Sequence, residues 1–374
     1  MSADITRQEP PEVTRARGRR MAERVGRHLR PAATRIVAML VSLFVVAVVF
    51  LVAGYPLGDV ASGIWAGAFG APGAWQSTLR WSMAYAVIGA GVLVAIRSGF
   101  FNVGAQGQFY LGACASVAVA LAWSSGPPVL VILAATAAGI AAGGLWALGP
   151  GWLRVRFGTD EVITTLMANF VALLVLRYLT SGPLQDPSGS GESSSSESVD
   201  AALRISDGSG VSWITVGITV LVLVGTWILI TRTRFGLLSG IAGRNPLMAR
   251  WQGVNVARVG LVSFAVSGAA AGLFGAMEVL GAGGRISSGF APGLGFTAIL
   301  VAVVGGLGVG GLIASAVFFG ALQAALLYLP IVTDVPPSSL DLLRGMVALL
   351  ITITPLSALI VMRGRLRRGE DART

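Results

Sequence analysis

The sequence predicts an all-α integral membrane protein with about ten transmembrane helices and with both termini in the cytoplasm. Of its 374 residues, 54% are hydrophobic and only 12% are charged, and the mean hydropathy is +0.77, whereas soluble domains carry about 25% charged residues. Apolar runs of about 20 residues, enough to cross a hydrocarbon core, recur along almost the whole chain. Because these runs are continuous rather than alternating, they indicate helices and not a β-barrel.

The chain is predicted to have three parts. Residues 1–35 contain nine arginines and four acids and are predicted to form a disordered basic cytoplasmic tail. Residues 36–362 form the transmembrane domain, and residues 363–374 form a second basic cytoplasmic tail. The first apolar run begins too late and is too long for a cleavable signal peptide. Trp65 and Trp75 follow this run and are predicted to anchor the outer interface.

The apolar runs place ten spans in order. Thr159 can cap the fifth, and Asp160 and Glu161 favour the positive end of its helix dipole. The eighth span is short, which indicates a half-helix or re-entrant element. The predicted spans are 36–54, 81–96, 104–123, 129–153, 159–180, 211–231, 259–280, 296–307, 312–329 and 342–362.

The distribution of arginines predicts how these spans are oriented. With ten spans and cytoplasmic tails, 21 of the 27 arginines lie on the inside, as the positive-inside rule requires. The Ser-rich segment 181–210, with five acids and one arginine, is then extracellular. An odd number of spans would place one arginine-rich tail outside.

The residue inventory excludes several classes of function. All 27 basic residues are arginine, so the phosphate-binding loop G-x-x-x-x-G-K-[ST] cannot form, and any ATP must be hydrolysed by another chain. The one histidine, His28, lies in the N-terminal tail, and the one cysteine, Cys114, lies in an apolar run. A disulfide framework and a histidine-based triad or zinc site within the membrane are therefore excluded. Cys114 is predicted to be a small buried residue. The basic residues flank spans, so the formal charge of +10 reflects orientation and not nucleic-acid binding.

The segment 232–258, called here the arginine-rich loop, contains five arginines and no acid. Asn245 can cap a helix, Pro246 suits its first position and Gly253 can end it. A helix of about 10 Å is therefore predicted from Pro246 to Gln252.

This short helix allows two interpretations. It is either an amphipathic connector in the headgroup region or a docking helix for a cytoplasmic partner. Leu247 and Trp251 share one face, and Arg250 points elsewhere. Caps at both ends favour docking, because a loop that only crosses needs no defined helix.

Polar and aromatic side chains at membrane depth are candidates for a solute path. The amides of Asn102, Gln106, Gln108 and Asn169 can bind the hydroxyls of an uncharged sugar or ribose, or they can join helices. The aromatic side chains in this region can stack on a base or sugar, or can simply pack; they are Phe101, Phe109 and Tyr110.

Two further features lie in the spans. Glu278 and Arg285 lie near the outer end of the seventh span and can gate solute, receive an extracellular binding protein or form an ion pair. Small-xxx-small pairs predict close helix contacts with a structural role; they are Gly139 with Gly143 and Gly268 with Gly272.

Four blocks resemble permease subunits of bacterial ABC importers, in the branch that handles ribose-type sugars, nucleosides and branched-chain amino acids. GRNPLMARWQGVNVARV resembles the family loop G-x-N-P-x-A-A-x-x-x-G-I-x-V-x-R, and FFNVGAQGQFYLGA resembles F-N-I-G-A-E-G-Q. GTDEVITTLMANF followed by SGPLQDP, and EVLGAGGRISSGFAPGLGFTAI, resemble nucleoside and simple-sugar members most. The blocks spread over most of residues 80–330.

The resemblance implies a permease subunit in a bacterial plasma membrane that forms the path for a nucleoside or simple sugar. It implies no catalytic residues and no cofactor or metal on this chain, because ATP and magnesium would be held by partner ATPase subunits. The other implied partners are a second permease, related or identical, an extracellular solute-binding lipoprotein and membrane lipids.

The resemblance also implies roles for individual residues. The arginine-rich loop would be the coupling loop that receives ATPase motion, through Gly243, Arg244, Asn245, Pro246, Ala249, Arg250, Trp251 and Gly253. The path residues would be Phe101, Asn102, Gln106, Gln108, Asn169 and Glu278. Gln106 departs from the family, which usually has glutamate there, and this departure disfavours proton coupling at that position. GGLGVGG at 305–311 is richer in glycine than the usual turn and leaves the start of the ninth span open.

Two other classes remain as alternatives. An ion-coupled secondary transporter normally needs ionisable residues at the midplane, whereas nearly all the charge here lies at predicted span ends. A membrane enzyme is the third possibility, and the spans lack a histidine, a metal cluster or a nucleophile with its base.

Overall fold

A computed structural model describes residues 54–187 and 194–333, together with Phe44, Val48, Leu51 and Val52. The two predicted tails, the predicted span 342–362 and most of the predicted span 36–54 lie outside the described residues. Residues 61–334 form one compact unit, and the described residues before Ala61 belong to a second.

The described chain is almost entirely helical and contains no strand, only two isolated β-bridges. Among the described residues, one 3₁₀ turn, Ala201–Leu203, lies in the Ser-rich segment 181–210, and π-helical turns extend α1 to Gly70 and α9 to Gly283. The helices in chain order are α1 Leu57–Trp65, α2 Ala74–Arg97, α3 Ala105–Ala122, α4 Pro128–Phe157, α5 Glu161–Thr180, α6 Trp213–Arg232, α7 Arg234–Arg244, α8 Pro246–Trp251, α9 Val256–Glu278, α10 Leu294–Val304 and α11 Val309–Val332.

Seven of the described helices are long and apolar enough to cross a membrane: α2 to α6, α9 with its extension, and α11. They coincide with seven of the predicted spans. The predicted short span is α10, whose 11 residues extend about 16 Å, roughly half the hydrocarbon thickness. The total of about ten spans and the cytoplasmic termini stay predictions, because the first and last spans lie outside the part of the chain that is described.

Two helix starts differ from the sequence interpretation. Helix α2 begins at Ala74 rather than near residue 81, because polar side chains in its first turns are satisfied locally, as when Thr78 Oγ1 donates to the Ala68 carbonyl. Helix α5 is capped by Asp160, whose carboxylate accepts from Val162 N and Ile163 N. The prediction that Thr159 caps this helix is wrong. Its hydroxyl is buried without a hydrogen-bond partner, because the Asp160 carboxylate accepts from the free backbone amides at the helix start.

The core of the bundle lies around α2, α3 and α9. In the most apolar window of α2, 78% of the residues are buried, against 22% in α4, α5 and α6, which present apolar side chains outward as spans in lipid do. Helices α4 and α9 approach through glycines, since a Cβ on Gly272 would overlap the Gly139 carbonyl and one on Gly268 would overlap that of Gly143. The predicted structural role of these small residues is confirmed.

Candidate functional site

The arginine-rich loop contains two helices, α7 and α8. Asn245 caps α8, because its side-chain oxygen accepts from Met248 N at 2.9 Å, and Pro246 occupies the first helical position. Gly253 has φ of +78°, the left-handed geometry that ends a helix. The short helix predicted from Pro246 to Gln252 is therefore confirmed, with its last residue at Trp251.

One side of α8 is buried and the other is open. Ala249 is fully buried in a small cluster with Ala242, Val256 and Val259. Leu247 and Trp251 are exposed, and Trp251 is 82% exposed. This exposed apolar ring lies outside the chain's own core, so both interpretations of the helix, a connector in the headgroup region and a docking helix, stay open.

The arginine-rich loop meets the rest of the bundle through backbone atoms. The turn segment, residues 98–104, joins α2 to α3, and Gly99 has φ of +83°. A Cβ on Gly243 would overlap the Arg97 carbonyl oxygen, and a Cβ on Gly99 would lie 2.9 Å from the Gly243 Cα. No side chain separates the two segments, so a shift of Gly243 displaces the turn segment directly.

A cavity of about 400 Å³ lies beside this contact. It separates the turn segment and the arginine-rich loop from the C-terminal end of α4. Among its lining residues are Phe100, Arg154, Gly158, Pro246, Arg250 and Val256. Arg154 is already neutralised by Glu161, at 2.9 Å, whereas Arg250 is exposed and has no ion-pair partner among the described residues. The cavity therefore leaves unfilled space between α8 and the C-terminal end of α4.

The turn segment carries a network of amides. The side chains of Asn102 and Gln108 pair reciprocally: Asn102 Nδ2 donates to Gln108 Oε1 at 2.9 Å, and Gln108 Nε2 donates back at 3.0 Å. Asn102 Nδ2 also donates to Ser267 Oγ on α9 at 2.9 Å. Both amides are buried, and buried polar groups require such partners.

Gln106 makes a second bridge, to the start of α10. Its Nε2 donates to the Ala291 carbonyl at 3.0 Å, and its Oε1 accepts from Gly295 N at 2.6 Å. Donor and acceptor are both used, and a primary amide supplies both without carrying a charge.

Asn169 braces the start of α3 from α5. Its Oδ1 accepts from Gly107 N at 2.8 Å, and its Nδ2 donates to the Val103 carbonyl at 2.9 Å. The four candidate amides therefore gather around the turn segment and the start of α3, and each of them hydrogen-bonds within the chain. Their predicted place in a solute path stays a prediction.

The three aromatic candidates differ in their exposure. The Phe109 ring is buried and stacks on Phe290, with centroids 5.2 Å apart and planes 4° apart, and it also contacts Phe274 and Tyr110. Phe101 is partly exposed. Of the three candidates, Phe101 is therefore the most available to a solute.

Glu278 is ion-paired with Arg80, near the start of α2. The predicted ion pair of Glu278 with Arg285 is therefore wrong. Arg285 is exposed in the link between α9 and α10, whereas the packing of α2 against α9 brings Arg80 to the Glu278 carboxylate. Sequence reasoning missed Arg80. Its signal was an arginine one residue before a predicted span, where the positive-inside rule gives it no reason to lie outside.

The Ser-rich segment 181–210 is hydrogen-bonded to the link between α9 and α10. Ser196 N donates to the Ile286 carbonyl at 2.8 Å, and Val199 N donates to the Gly284 carbonyl at 2.7 Å. Asp207 lies in the same segment, and hydrogen bonds from the Ser209 side chain and backbone lower its pKa. This carboxylate is therefore ionised at neutral pH and keeps the segment negatively charged.

The described residues contain no group of three or more side chains that could hold a metal ion. Cys114 is buried, as predicted.

Comparison with known proteins matches residues 74–352 to the family described as branched-chain amino acid transport system / permease component. A guanosine ABC transporter permease of Bacillus subtilis is 33% identical over 322 residues, which cover 84% of this chain and 91% of the relative. A glucose ABC transporter permease of Haloferax volcanii is 33% identical over 295 residues, covering 76% and 77%. A nucleoside ABC transporter permease of Lactococcus lactis is 27% identical over 290 residues, covering 75% and 79%. No solved structure is significantly similar to the chain.

Proposed function

The chain belongs to the permease component family of branched-chain amino acid transport systems, and from that premise we propose that it carries a nucleoside or a simple sugar. It is a multi-pass membrane subunit of an ABC transporter and not an enzyme, since ATP is hydrolysed by partner subunits. The observation that carries the proposal is the similarity to relatives named for guanosine, glucose and nucleosides over at least three quarters of the chain.

The buried polar side chains of the described bundle suit an uncharged solute that is rich in hydroxyl groups. Nucleosides and sugars present hydroxyls that donate and accept hydrogen bonds, and the described bundle is lined at depth by amides and hydroxyls instead of free charges. Among the described residues, Glu278 is the only charged side chain that is almost fully buried, and Arg80 neutralises it. A charged amino acid as cargo would leave its own charges without partners there.

The same charge inventory disfavours the ion-coupled alternative. A secondary transporter couples through ionisable groups that change their ligands within the membrane. The buried acid of the described spans already has a partner, and Gln106 cannot ionise. Power therefore comes from outside the chain, and α8, with Trp251 exposed, is the surface that would receive it.

The proposed assembly contains two cytoplasmic ATPases, which hold ATP and magnesium, a second permease and an extracellular solute-binding lipoprotein in a bacterial plasma membrane. The arginine-rich loop is assigned to the inside, and the segment 181–210 is assigned to the outside. An impermeant thiol reagent applied to intact cells tests this: a cysteine at Ser209 should react, and one at Leu247 should not. The opposite pattern overturns the orientation.

Transport is tested with the permease, its ATPases and its binding protein reconstituted in vesicles, with labelled guanosine, glucose and leucine offered separately. We expect ATP-dependent uptake of guanosine or glucose that persists when a protonophore dissipates the proton gradient. Uptake of leucine alone would overturn the solute class. Uptake that needs the gradient and no ATP would establish the ion-coupled alternative instead.

A further inference from the structure

Helix α10 is bounded on both sides by residues in unfavourable backbone conformations. Ala291 precedes it with φ of +38°, and Leu307 follows it with φ of +60°. They are the only non-glycine residues with positive φ in the described chain. A side chain at positive φ is strained, and such strain concentrates at switch regions that the surrounding structure holds in place.

The same helix is half a span long and is covered on one side only. Its inner face packs on α2, α3 and α11, with Ala298 and Val301 fully buried. Phe296, Leu300 and Val303 fall at helical spacing along its other face, and Phe296 and Val303 are exposed. An apolar stripe of this kind can block a polar path when it faces one.

A single side chain holds the start of this helix. Gln106 bonds Ala291 and Gly295 at once, on either side of the first residue of α10, and the backbones touch so closely that a Cβ on Gly295 would overlap Gln106 N. Removal of that amide leaves the partly buried Ala291 carbonyl and the buried Gly295 amide without these partners, which weakens the attachment of α10 to α3 at this point.

The two hydrogen bonds of Gln106, called here the clamp, are connected to the arginine-rich loop through a short stretch of chain. Gly243 of the arginine-rich loop contacts Arg97 and Gly99, the turn segment runs from Gly99 to Gly104, and Gln106 follows in the first turn of α3. The Asn102–Gln108 pair and Asn169 stiffen this short stretch. A displacement at Gly243 therefore reaches Gln106 without being absorbed by flexible side chains.

From these observations we propose that α10 is a gate, hinged at Ala291 and Leu307, which Gln106 holds closed and which the arginine-rich loop moves through the turn segment. The inference rests on the proposed transport function and assigns Gln106 a positioning role, not a solute contact. Hinges of this kind need only a few residues that absorb the change in φ and ψ.

The gate is tested by the reactivity of a thiol at Thr297 in the assembled complex. Thr297 is buried in α10, and Thr297→Cys replaces its hydroxyl, which donates to the Gly293 carbonyl, by a thiol and removes one methyl group. The one native thiol, Cys114, is also buried, and the unmodified chain measures its background. A small methanethiosulfonate reagent is applied to the nucleotide-free complex and to the complex trapped with ADP and vanadate. We expect labelling rates that differ about tenfold, the factor that corresponds to about 1.4 kcal/mol.

Two variants then assign the gate to Gln106. Gln106→Leu should make the labelling of Thr297→Cys fast in both states. The matched control is Gln323→Leu, a buried amide on α11 that accepts a hydrogen bond from Tyr85 on α2, and it should keep the difference between states. If Gln106→Leu does not assemble, Gln106→Glu replaces it at high pH, where the ionised carboxylate cannot donate to Ala291, so the labelling of Thr297→Cys should also be fast.

Equal labelling in both states of the complex with native Gln106, or a preserved difference in the Gln106 variant, overturns the gate. Uptake of guanosine or glucose is measured on the same vesicles. Normal uptake with state-independent labelling refutes the gate alone, whereas no uptake of either solute refutes the proposed function.

Discussion

The guanidinium of Arg80, near the start of α2, is ion-paired with the carboxylate of Glu278 in the last turn of α9. The pair joins residues 198 positions apart in the chain. Gly210 of the Ser-rich segment 181–210 lies against the Arg80 side chain, so the ion pair joins two central helices next to this segment.

Arg80→Met should destabilise the complex, because it leaves the Glu278 carboxylate buried without its partner. A fully buried pair costs about 3–5 kcal/mol to break; since the Arg80 side chain is 28% exposed, we expect about 2 kcal/mol. The double variant Arg80→Met with Glu278→Gln should regain most of this loss. Thermal unfolding in detergent checks it, and additive effects of the two single changes would contradict the pairing.

Gly243→Ala should uncouple hydrolysis from transport. The added methyl overlaps the Arg97 carbonyl and pushes the arginine-rich loop off the turn segment, so we expect uptake per ATP hydrolysed to fall about tenfold, a change of about 1.4 kcal/mol. Gly240→Ala on the same helix is the control, because its nearest neighbour is an Arg97 nitrogen 3.8 Å away. Equal losses in both variants would mean that the effect comes from α7 as a whole.

Trp251→Ala should weaken the binding of the ATPase subunits. The ring is 82% exposed, so its removal costs this chain little stability, and an exposed tryptophan at the centre of an interface is worth about 2 kcal/mol or more. Trp213→Ala, on an equally open ring at the start of α6, is the control and should change nothing. Full stimulation of hydrolysis by loaded binding protein in Trp251→Ala would refute docking through α8.

Local chemistry allowed much of this architecture to be predicted. Apolar length alone placed seven spans, and the Asn245, Pro246 and Gly253 signals placed α8 to within a residue. Contacts between distant segments could not be read in the same way. Nothing near Gln106 indicates that its two hydrogen-bond partners lie at Ala291 and Gly295, because that contact depends on how α3 and α10 pack. For the same reason, proximity in the sequence indicates Arg285 as a partner for Glu278, whereas the packing of α2 against α9 supplies Arg80.

Asn102→Leu distinguishes a brace from a path residue. The substitution leaves the Gln108 amide and the Ser267 hydroxyl without their partner, and we expect a loss of about 3 kcal/mol in stability together with reduced uptake. In the double variant with Gln108→Leu, the unpaired Gln108 amide is gone, whereas the buried Ser267 hydroxyl and Gly104 N still lack the partner that Asn102 supplied, so part of the lost stability should return. If uptake returns as well, the pair is a brace.

Persistently low uptake in a stable Asn102→Leu, Gln108→Leu complex would instead place these amides in the solute path. Phe101→Ala is the companion measurement, since this ring is partly exposed beside them. It should raise the solute concentration needed for half-maximal uptake several-fold if the ring stacks on a base or sugar, an interaction worth about 1 kcal/mol.

Gln106→Glu should make transport depend on pH. The native amide donates to the Ala291 carbonyl and accepts from Gly295 N, and a carboxyl group can make both contacts only while it holds its proton. At high pH the ionised carboxylate faces the Ala291 carbonyl, two acceptors repel, and the clamp on α10 opens. At low pH the protonated acid replaces the amide almost without change in shape, and the clamp closes again. We therefore expect coupled uptake that rises as pH falls, and labelling of Thr297→Cys that slows in parallel, whereas the amide of native Gln106 does not ionise and this chain serves as the control. A flat profile in the variant would show that the contact of Gln106 with Ala291 does not hold the helix, because ionisation would then have removed the bond without consequence.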